Sequence, residues 1–144
     1  MSRQELMDHI EILMEPIDTI QVKEVRDADT LRAAAETIGA MLLALPHLFP
    51  PTTNLYDPKV QMPATLALPR IWTDFGTFYQ LAGAAASASE AMGSAQGATQ
   101  LRAASKQLRS SCDACHALFL RAYLPPKVQD SDYKFDFDSA LHRK

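Results

Sequence analysis

Apolar side chains recur at steps of three and four residues along four segments of the chain, which is the period of an amphipathic helix. The four predicted helices span residues 5–21, 29–45, 70–92 and 99–123. Asp29 or Thr30 is expected to cap the second helix, because both side chains are good acceptors for free amides at a helix start. Pro16 lies inside the first pattern and lacks an amide hydrogen, so a kink or a break is expected near Met14.

The segments between these helices differ in length and composition. Six of the nine prolines lie from Pro46 to Pro69, and this cluster predicts a long, proline-rich crossover loop between the second and third helices. The turns near residues 23–28 and 93–98 are short, which makes the helices on either side of each turn antiparallel. The predicted fold is therefore all-α, an antiparallel four-helix bundle.

The bundle is expected to end where Pro125 and Pro126 stop the fourth helix. We therefore divide the chain into a four-helix bundle of residues 1–126 and a C-terminal extension of residues 127–144. The extension contains one short alternation of apolar and polar residues, 133–138, and a single strand there would have no partner.

The helical stripes also predict which side chains face the core. On the first helix, the acidic residues are expected on the solvent side: Glu5, Asp8, Glu11, Glu15 and Asp18. On the third helix, the residues expected to face inward are Ile71, Trp72, Phe75, Phe78, Tyr79, Ala82, Ala85 and Ala86.

The overall charge and hydropathy exclude two classes of protein. Fourteen Lys and Arg against seventeen Asp and Glu give a net charge of −3, which argues against general nucleic-acid binding. No apolar run approaches the roughly 18 residues that a membrane-spanning helix needs. The amino terminus has no basic segment followed by an apolar one, so no secretory leader is visible.

The only two cysteines, Cys112 and Cys115, are followed directly by His116 in a C-x-x-C-H motif. Two thiols one helical turn apart can add across the two vinyl groups of a haem, and the adjacent imidazole then lies beneath the iron as its proximal ligand. The motif therefore predicts one covalently bound haem c, with His116 as an iron ligand.

Two other uses of the motif stay open beside the haem. A zinc site would need a fourth ligand, and the remaining histidines are His9, His47 and His142. A dithiol redox site of the thioredoxin type would need a strand before the helix, whereas this motif lies deep within the fourth predicted helix.

The residues around the motif resemble a known family. Residues 109–119, with C-x-x-C-H near the carboxyl terminus, are similar to the haem-binding helix of the class II c-type cytochromes, the cytochrome c′ group. Residues 45–53 are similar to the family's loop after its second helix, and residues 69–75 to the start of its third. Arg3 and Gln4 resemble its Arg-Gln first turn. The resemblance implies an antiparallel four-helix bundle, in agreement with the pattern.

The resemblance also implies roles for residues outside the motif. The family's distal residue lies four positions after the arginine of the first helix, which makes Met7 the expected sixth iron ligand and places the chain in the low-spin, methionine-ligated branch. Arg3 and Gln4 are expected to hydrogen-bond a haem propionate. Trp72 and Phe75 are expected to contact the porphyrin.

Ligation by both His116 and Met7 would favour ferrous iron and keep the iron six-coordinate, which predicts an electron carrier and not an enzyme. If Met7 only packs, the sixth position stays open, and the resemblance then implies a five-coordinate, high-spin protein that binds or senses NO or CO. Met14 lies two turns further along and is expected to be core packing. In one departure from the family, Leu120 stands where a basic residue is usual.

Charge is distributed unevenly, with a net −5 over residues 1–29 and a net +4 over residues 100–127. A basic haem-bearing helix can steer an acidic redox partner protein to the haem edge. The same charges can instead attract the first helix to the fourth, or form a solvated face. Haem is normally attached to such motifs outside the cytoplasm, so we expect a periplasmic protein whose leader has been removed. The family often forms dimers, which makes a homodimer a further expectation.

Overall fold

The computed structural model of the chain describes residues 2–60 and 65–122, and this part is mostly helical. Its helices are α1 (Arg3–Thr19), α2 (Ala28–Ala44), α3 (Arg70–Thr73), α4 (Phe75–Gly93) and α5 (Gly97–Phe119). Two short 3-10 turns, Leu45–Leu48 and Pro51–Thr53, lie in the crossover. The four long helices form the predicted bundle, in which α2 packs on α4, α4 on α5 and α1 on α2.

Helix α1 begins two residues before the predicted position because Ser2 and Glu5 form a capping box. The Ser2 hydroxyl accepts the Glu5 amide at 3.2 Å, and the Glu5 carboxylate accepts the Ser2 amide at 2.7 Å. Of the kink or break expected near Met14, the break is wrong, since the helix continues through Pro16 to its end. A kink stays a prediction. Met14 and Ile17 are both buried on either side of the proline, and their packing holds the helix together.

Helix α2 is capped by Asp27, not by Asp29 or Thr30 as the sequence suggested. One carboxylate oxygen of Asp27 accepts the Thr30 amide at 3.0 Å, and the other accepts the Thr30 hydroxyl at 2.7 Å. An Asp that accepts both groups satisfies one free amide of the first turn and places negative charge at the positive end of the helix.

The third predicted helix is divided at Asp74, whose backbone leaves the helical region (φ −132°, ψ 47°). The Thr77 hydroxyl and then the Arg70 guanidinium, 3.3 Å away, lower the pKa of the Asp74 carboxyl. Because α4 restarts after this residue, its buried stripe begins at Phe78. The expectation that Phe75 and Tyr79 face inward is therefore wrong, since they are 41% and 55% exposed.

Helix α5 ends at Phe119, four residues before the predicted position, because the crossover loop pairs with the chain there. The Leu68 amide donates to the Phe119 carbonyl at 2.9 Å, and the Arg121 amide donates to the Leu66 carbonyl at 2.8 Å. Leu120 is extended and no longer helical. The long crossover thus returns to the end of the motif-bearing helix. Pro125, Pro126 and residues 127–144 lie outside the described part.

Among residues 2–60 and 65–122, none of the helices combines the length and the hydropathy of a membrane-spanning segment.

Helices α2 and α4 lie close together at Gly39, which faces Ser89. A Cβ atom added at Gly39 would lie 3.3 Å from the Ser89 Cβ, which is closer than ordinary van der Waals contact. The Ser89 hydroxyl donates to the Ala35 carbonyl at 2.9 Å, so this serine is fixed in place and cannot readily move aside.

We predict that Gly39→Leu destabilises the bundle by about 1–3 kcal/mol, because the side chain has no room between the helices. The control is Gly76→Leu, since an added Cβ at Gly76 meets nothing within 4 Å. Chemical denaturation of both variants measures the free energy of unfolding. Equal stabilities would show that the contact between α2 and α4 is looser than described.

Candidate functional site

The C-x-x-C-H motif forms the last two turns of α5. The buried stripe of this helix runs through Leu101, Ser105, Leu108, Cys112, Cys115 and Phe119. Because the steps are three or four residues, both thiols lie on the inward face, where each cysteine is 8% exposed. The two cysteines are not joined in a disulfide, and the half-buried His116 follows on the next position of the helix.

Burial sets the protonation of all three groups in the motif. It raises the pKa of the Cys112 thiol to about 11, against the opposing charge of Arg109, and it raises the pKa of Cys115 to about 11. Burial also lowers the pKa of His116. Without a bound cofactor, the motif therefore presents two protonated thiols and a neutral imidazole at neutral pH, and neutral imidazole is the form in which histidine ligates a metal.

These properties fit a covalent haem better than the other two uses of the motif. Thioredoxin-type cysteines have lowered pKa values near a helix amino terminus, whereas these lie at the carboxyl end with raised ones. Across residues 2–60 and 65–122, no three His, Cys, Asp or Glu side chains are gathered to hold a metal ion. His9 and His47 are both exposed, and the His9 ring contacts the Glu5 carbonyl at 2.7 Å.

Two arginines of α5 fix the register of that helix against α1. Arg109 forms an ion pair with Asp18, with its Nε 3.1 Å from one carboxylate oxygen. Arg102 donates to the carbonyls of Ile20 and Lys23, both at 3.0 Å. The helices run antiparallel, so a residue later in α5 lies beside a residue earlier in α1.

This register sets the level of His116 along α1. His116 lies seven residues after Arg109, and the position seven residues before Asp18 is Glu11. His116 also lies 14 residues after Arg102, which contacts Ile20, and the position 14 residues before Ile20 is Leu6. Because both helices rise by about 1.5 Å per residue, His116 is level with residues 6–11 of α1. The Glu11 carboxylate is accordingly among the charges that act on the pKa of His116.

Met7 lies within that stretch of α1, half-buried against the core. Met14 is fully buried and lies seven residues, or about 10.5 Å, further along the helix axis, close to the level of Arg109. Only the first of these methionines is therefore level with His116. Direct ligation by Met7 stays a prediction.

Arg3 and Gln4, the two residues expected at a propionate, differ in their surroundings. The Arg3 guanidinium donates to the hydroxyl and the carbonyl of Thr53, both at 3.1 Å. It also lies over the rings of Phe49 and Trp72, at 4.8 and 5.7 Å from their centroids. Gln4 is exposed. The structure thus brings Arg3, but not Gln4, to the aromatic residues of the crossover.

The predicted porphyrin contacts, Trp72 and Phe75, also differ. Trp72 is half-buried, and its Nε1 donates to the Pro50 carbonyl at 3.1 Å. The ring centroids of Trp72 and Phe49 are 5.8 Å apart, in an edge-to-face arrangement. Phe75 lies largely on the surface and meets the Phe78 ring at 6.0 Å.

Sequence reasoning missed an aromatic cluster at this end of the bundle. The ring centroid of Phe78 lies 5.0 Å from that of Phe49 and 5.3 Å from that of Phe119, and both pairs pack edge to face. Phe49 belongs to the crossover, and only its position directly before Pro50 and Pro51 hinted at a fixed role. The cluster joins the crossover, α4 and the end of α5 one turn beyond His116.

Sequence reasoning also placed Asp18 on the solvent face, and this is wrong. Asp18 is 6% exposed and accepts the Arg109 guanidinium. The one sequence feature that could have indicated this burial is the position of Asp18 next to Ile17, at the boundary of the apolar stripe. Arg109 and Arg102 both turn towards α1, so these two bases of the motif-bearing helix serve attraction between helices.

A sequence model of one protein family, described as cytochrome C′, matches residues 1–119 of this chain. No curated protein matches the chain significantly in a sequence comparison.

Several solved structures share the fold. Cytochrome c′ from Thermochromatium tepidum is 24% identical, with a TM-score of 0.72, over 83% of this chain and 91% of its own. Oxidised cytochrome c556 from R. palustris is 23% identical, with a TM-score of 0.69, over 85% and 95%. A variant of cytochrome c′ from Alcaligenes xylosoxidans in a nitric oxide complex is 25% identical, with a TM-score of 0.63, over 83% and 90%.

Proposed function

Because the chain belongs to the cytochrome c′ family and binds one covalent haem c, we propose that it is an electron carrier in which His116 and Met7 ligate the iron. The bound haem supplies a one-electron ferric–ferrous couple. Cys112 and Cys115 hold it to α5 through thioether bonds, and His116 fixes its orientation from the same helix. The protein's part is to hold the cofactor, set its potential and present an edge to partner proteins.

The observation that carries this proposal is the level of Met7 on α1, opposite His116 on α5. A methionine side chain that is half-buried and has three rotatable bonds can adjust its sulfur to a ligand position. A thioether favours ferrous iron and therefore raises the reduction potential above that of a single histidine ligand. Six-coordinate iron in both oxidation states also leaves little to rearrange when an electron moves.

A second function, binding or sensing a small gas, is favoured by the comparisons. The nitric oxide complex belongs to a relative 25% identical to this chain, and the known structures favour this function over electron transfer. It requires that Met7 only packs, leaving the sixth iron position open. The level of Met7 supports the first function, and the similar structures support the second.

Absorption spectra with and without carbon monoxide separate the two functions. Ligation by Met7 predicts sharp, split bands on reduction, a weak far-red band in the ferric protein and a slow or weak response to carbon monoxide. A broad high-spin spectrum that shifts at once with carbon monoxide would establish the gas-binding function instead.

The same proposal assigns the remaining site residues. Arg3 and Gln4 bind a haem propionate, and the position of Arg3 one turn before Met7 supports its part in this. Trp72 and Phe75 contact the porphyrin, Trp72 from its position beside Phe49 and Phe75 from the surface.

We further propose that a redox partner protein docks at the basic haem-bearing helix, α5. The exposed Lys106 remains available there, whereas Arg102 and Arg109 bind α1. We also propose a periplasmic location, because haem is normally attached to C-x-x-C-H outside the cytoplasm. A homodimer is a further part of the proposal.

A further inference from the structure

The ion pair between Arg109 and Asp18 differs from the other pairs of the described residues in joining two long helices. The pairs Arg32–Asp29 and Arg70–Asp74 each join residues three or four positions apart in sequence. The side chains of Arg109 and Asp18 are only 18% and 8% exposed.

The geometry of this pair is directional. Both Nε and the terminal nitrogen of Arg109 donate to Asp18, one to each carboxylate oxygen. A two-pronged contact of this kind fixes the position and the angle of the partner, unlike a single point charge. On the same helix, the Asp113 carboxylate lies 3.8 Å from Arg109 and helps to orient it.

The pair joins two helices whose relative position along the bundle axis is held by few other contacts. These two helices approach each other closely at few places, in contrast to α2 and α4 or α4 and α5. Arg109 is two turns from His116, whereas the other contact, from Arg102, is four turns away. Apolar packing alone permits small sliding movements between helices, and one residue of sliding moves Met7 by about 1.5 Å along the axis.

We propose that the Arg109–Asp18 pair is a positioning device for the distal iron ligand: it fixes the height of α1 against α5 and thereby holds Met7 opposite His116. The inference rests on the proposed ligation by Met7. Fixing a register is the best-attested specificity role of buried polar or ionic groups in helical assemblies. Arg109 and Asp18 are thus positioning residues that act on the iron only through Met7.

Binding of carbon monoxide tests this inference, because the gas competes with Met7 for the sixth position of ferrous iron. The apparent Kd for the gas equals the intrinsic Kd divided by the fraction of molecules in which that position is open. We expect Arg109→Gln to lower the apparent Kd by about tenfold or more in the haem-loaded protein, because Met7 is held less often at the iron.

The decisive comparison repeats the measurement in a Met7→Leu background. With Met7 absent, Arg109→Gln is expected to leave the apparent Kd unchanged, since no ligand remains to be positioned. Arg32→Gln is the matched control, because the partners of Arg32, Asp29 and the Ala95 carbonyl, both lie outside α1. It should leave the Kd unchanged in both backgrounds.

Two further variants keep the test decisive if Arg109→Gln does not fold. Asp18→Asn retains the shape of the acceptor, and Arg109→Lys retains the charge without the two-pronged contact. We expect Arg109→Lys to give a smaller decrease in apparent Kd than Asp18→Asn.

Two results would overturn the inference while leaving ligation by Met7 intact: an unchanged Kd in every variant of the pair, or an equal decrease with and without Met7. If the unaltered protein instead binds carbon monoxide as tightly as Met7→Leu does, ligation by Met7 itself is wrong and the inference fails with it.

Discussion

Replacing Met7 by leucine is expected to convert low-spin iron to high-spin iron and to open the sixth position to carbon monoxide. Leucine fills a similar volume, so the bundle should remain folded, but it offers no atom that can bind iron. The reduction potential should fall by about 0.1 V or more, since axial ligands tune haem potentials over about 0.8 V. Absorption spectroscopy and a potentiometric titration measure both changes.

Met14→Leu is the matched control for this prediction. Met14 is fully buried and lies about 10.5 Å along α1 from Met7, so its loss should change neither the spin state nor the potential. If Met14→Leu becomes high-spin and Met7→Leu does not, the deduced register of α1 against α5 is wrong by two turns.

Replacing both Cys112 and Cys115 by alanine is expected to abolish covalent haem attachment. The unaltered protein should exceed its polypeptide mass by about 616 Da, the mass of one haem, even after denaturation. The double variant should show the polypeptide mass alone and release any associated haem into acid–acetone. We also expect it to fold poorly, because both side chains are buried in the core.

Single replacements provide the control for the cysteine pair. Cys112→Ala and Cys115→Ala should each keep one thioether, so each should retain the added mass. Haem that extracts freely from the fully matured, unaltered protein would contradict covalent attachment.

Periodicity predicted the bundle because the buried stripes are long and regular. The core side chains of α1 follow steps of three and four residues, and Ile10, Met14 and Ile17 are all buried as expected. The motif likewise predicted the place of the functional site, since Cys112 and Cys115 fall on the inward face of α5. Both features depend on residues close together in sequence.

Contacts between residues far apart in sequence could not be predicted in this way. Asp18 follows the polar pattern of α1, and only the approach of Arg109 from α5 makes its burial favourable. Likewise, α5 ends at Phe119 because Leu68 of the crossover donates to it, and no local breaker precedes Pro125. Tertiary partners decided these positions.

The division of the third helix shows how a local signal can be outweighed. The apolar stripe continues through Asp74 without interruption, so periodicity favoured a single helix. Asp74 instead leaves the helical conformation and starts α4, and its carboxylate is held beside Thr77 and Arg70. Phe75 and Tyr79 consequently lie on the surface, where the stripe predicted core.

X-ray absorption at the iron edge tests the central claim most directly, because it identifies the atoms bound to iron without any substitution. Ligation by His116 and Met7 predicts five nitrogen ligands and one sulfur ligand in both the ferric and the ferrous protein. Cys112 and Cys115 bind the porphyrin edge and not the iron, so they do not add to the sulfur signal. Five nitrogen ligands and no sulfur ligand would contradict electron transfer through a His/Met pair and would show the open sixth position that the gas-binding function requires.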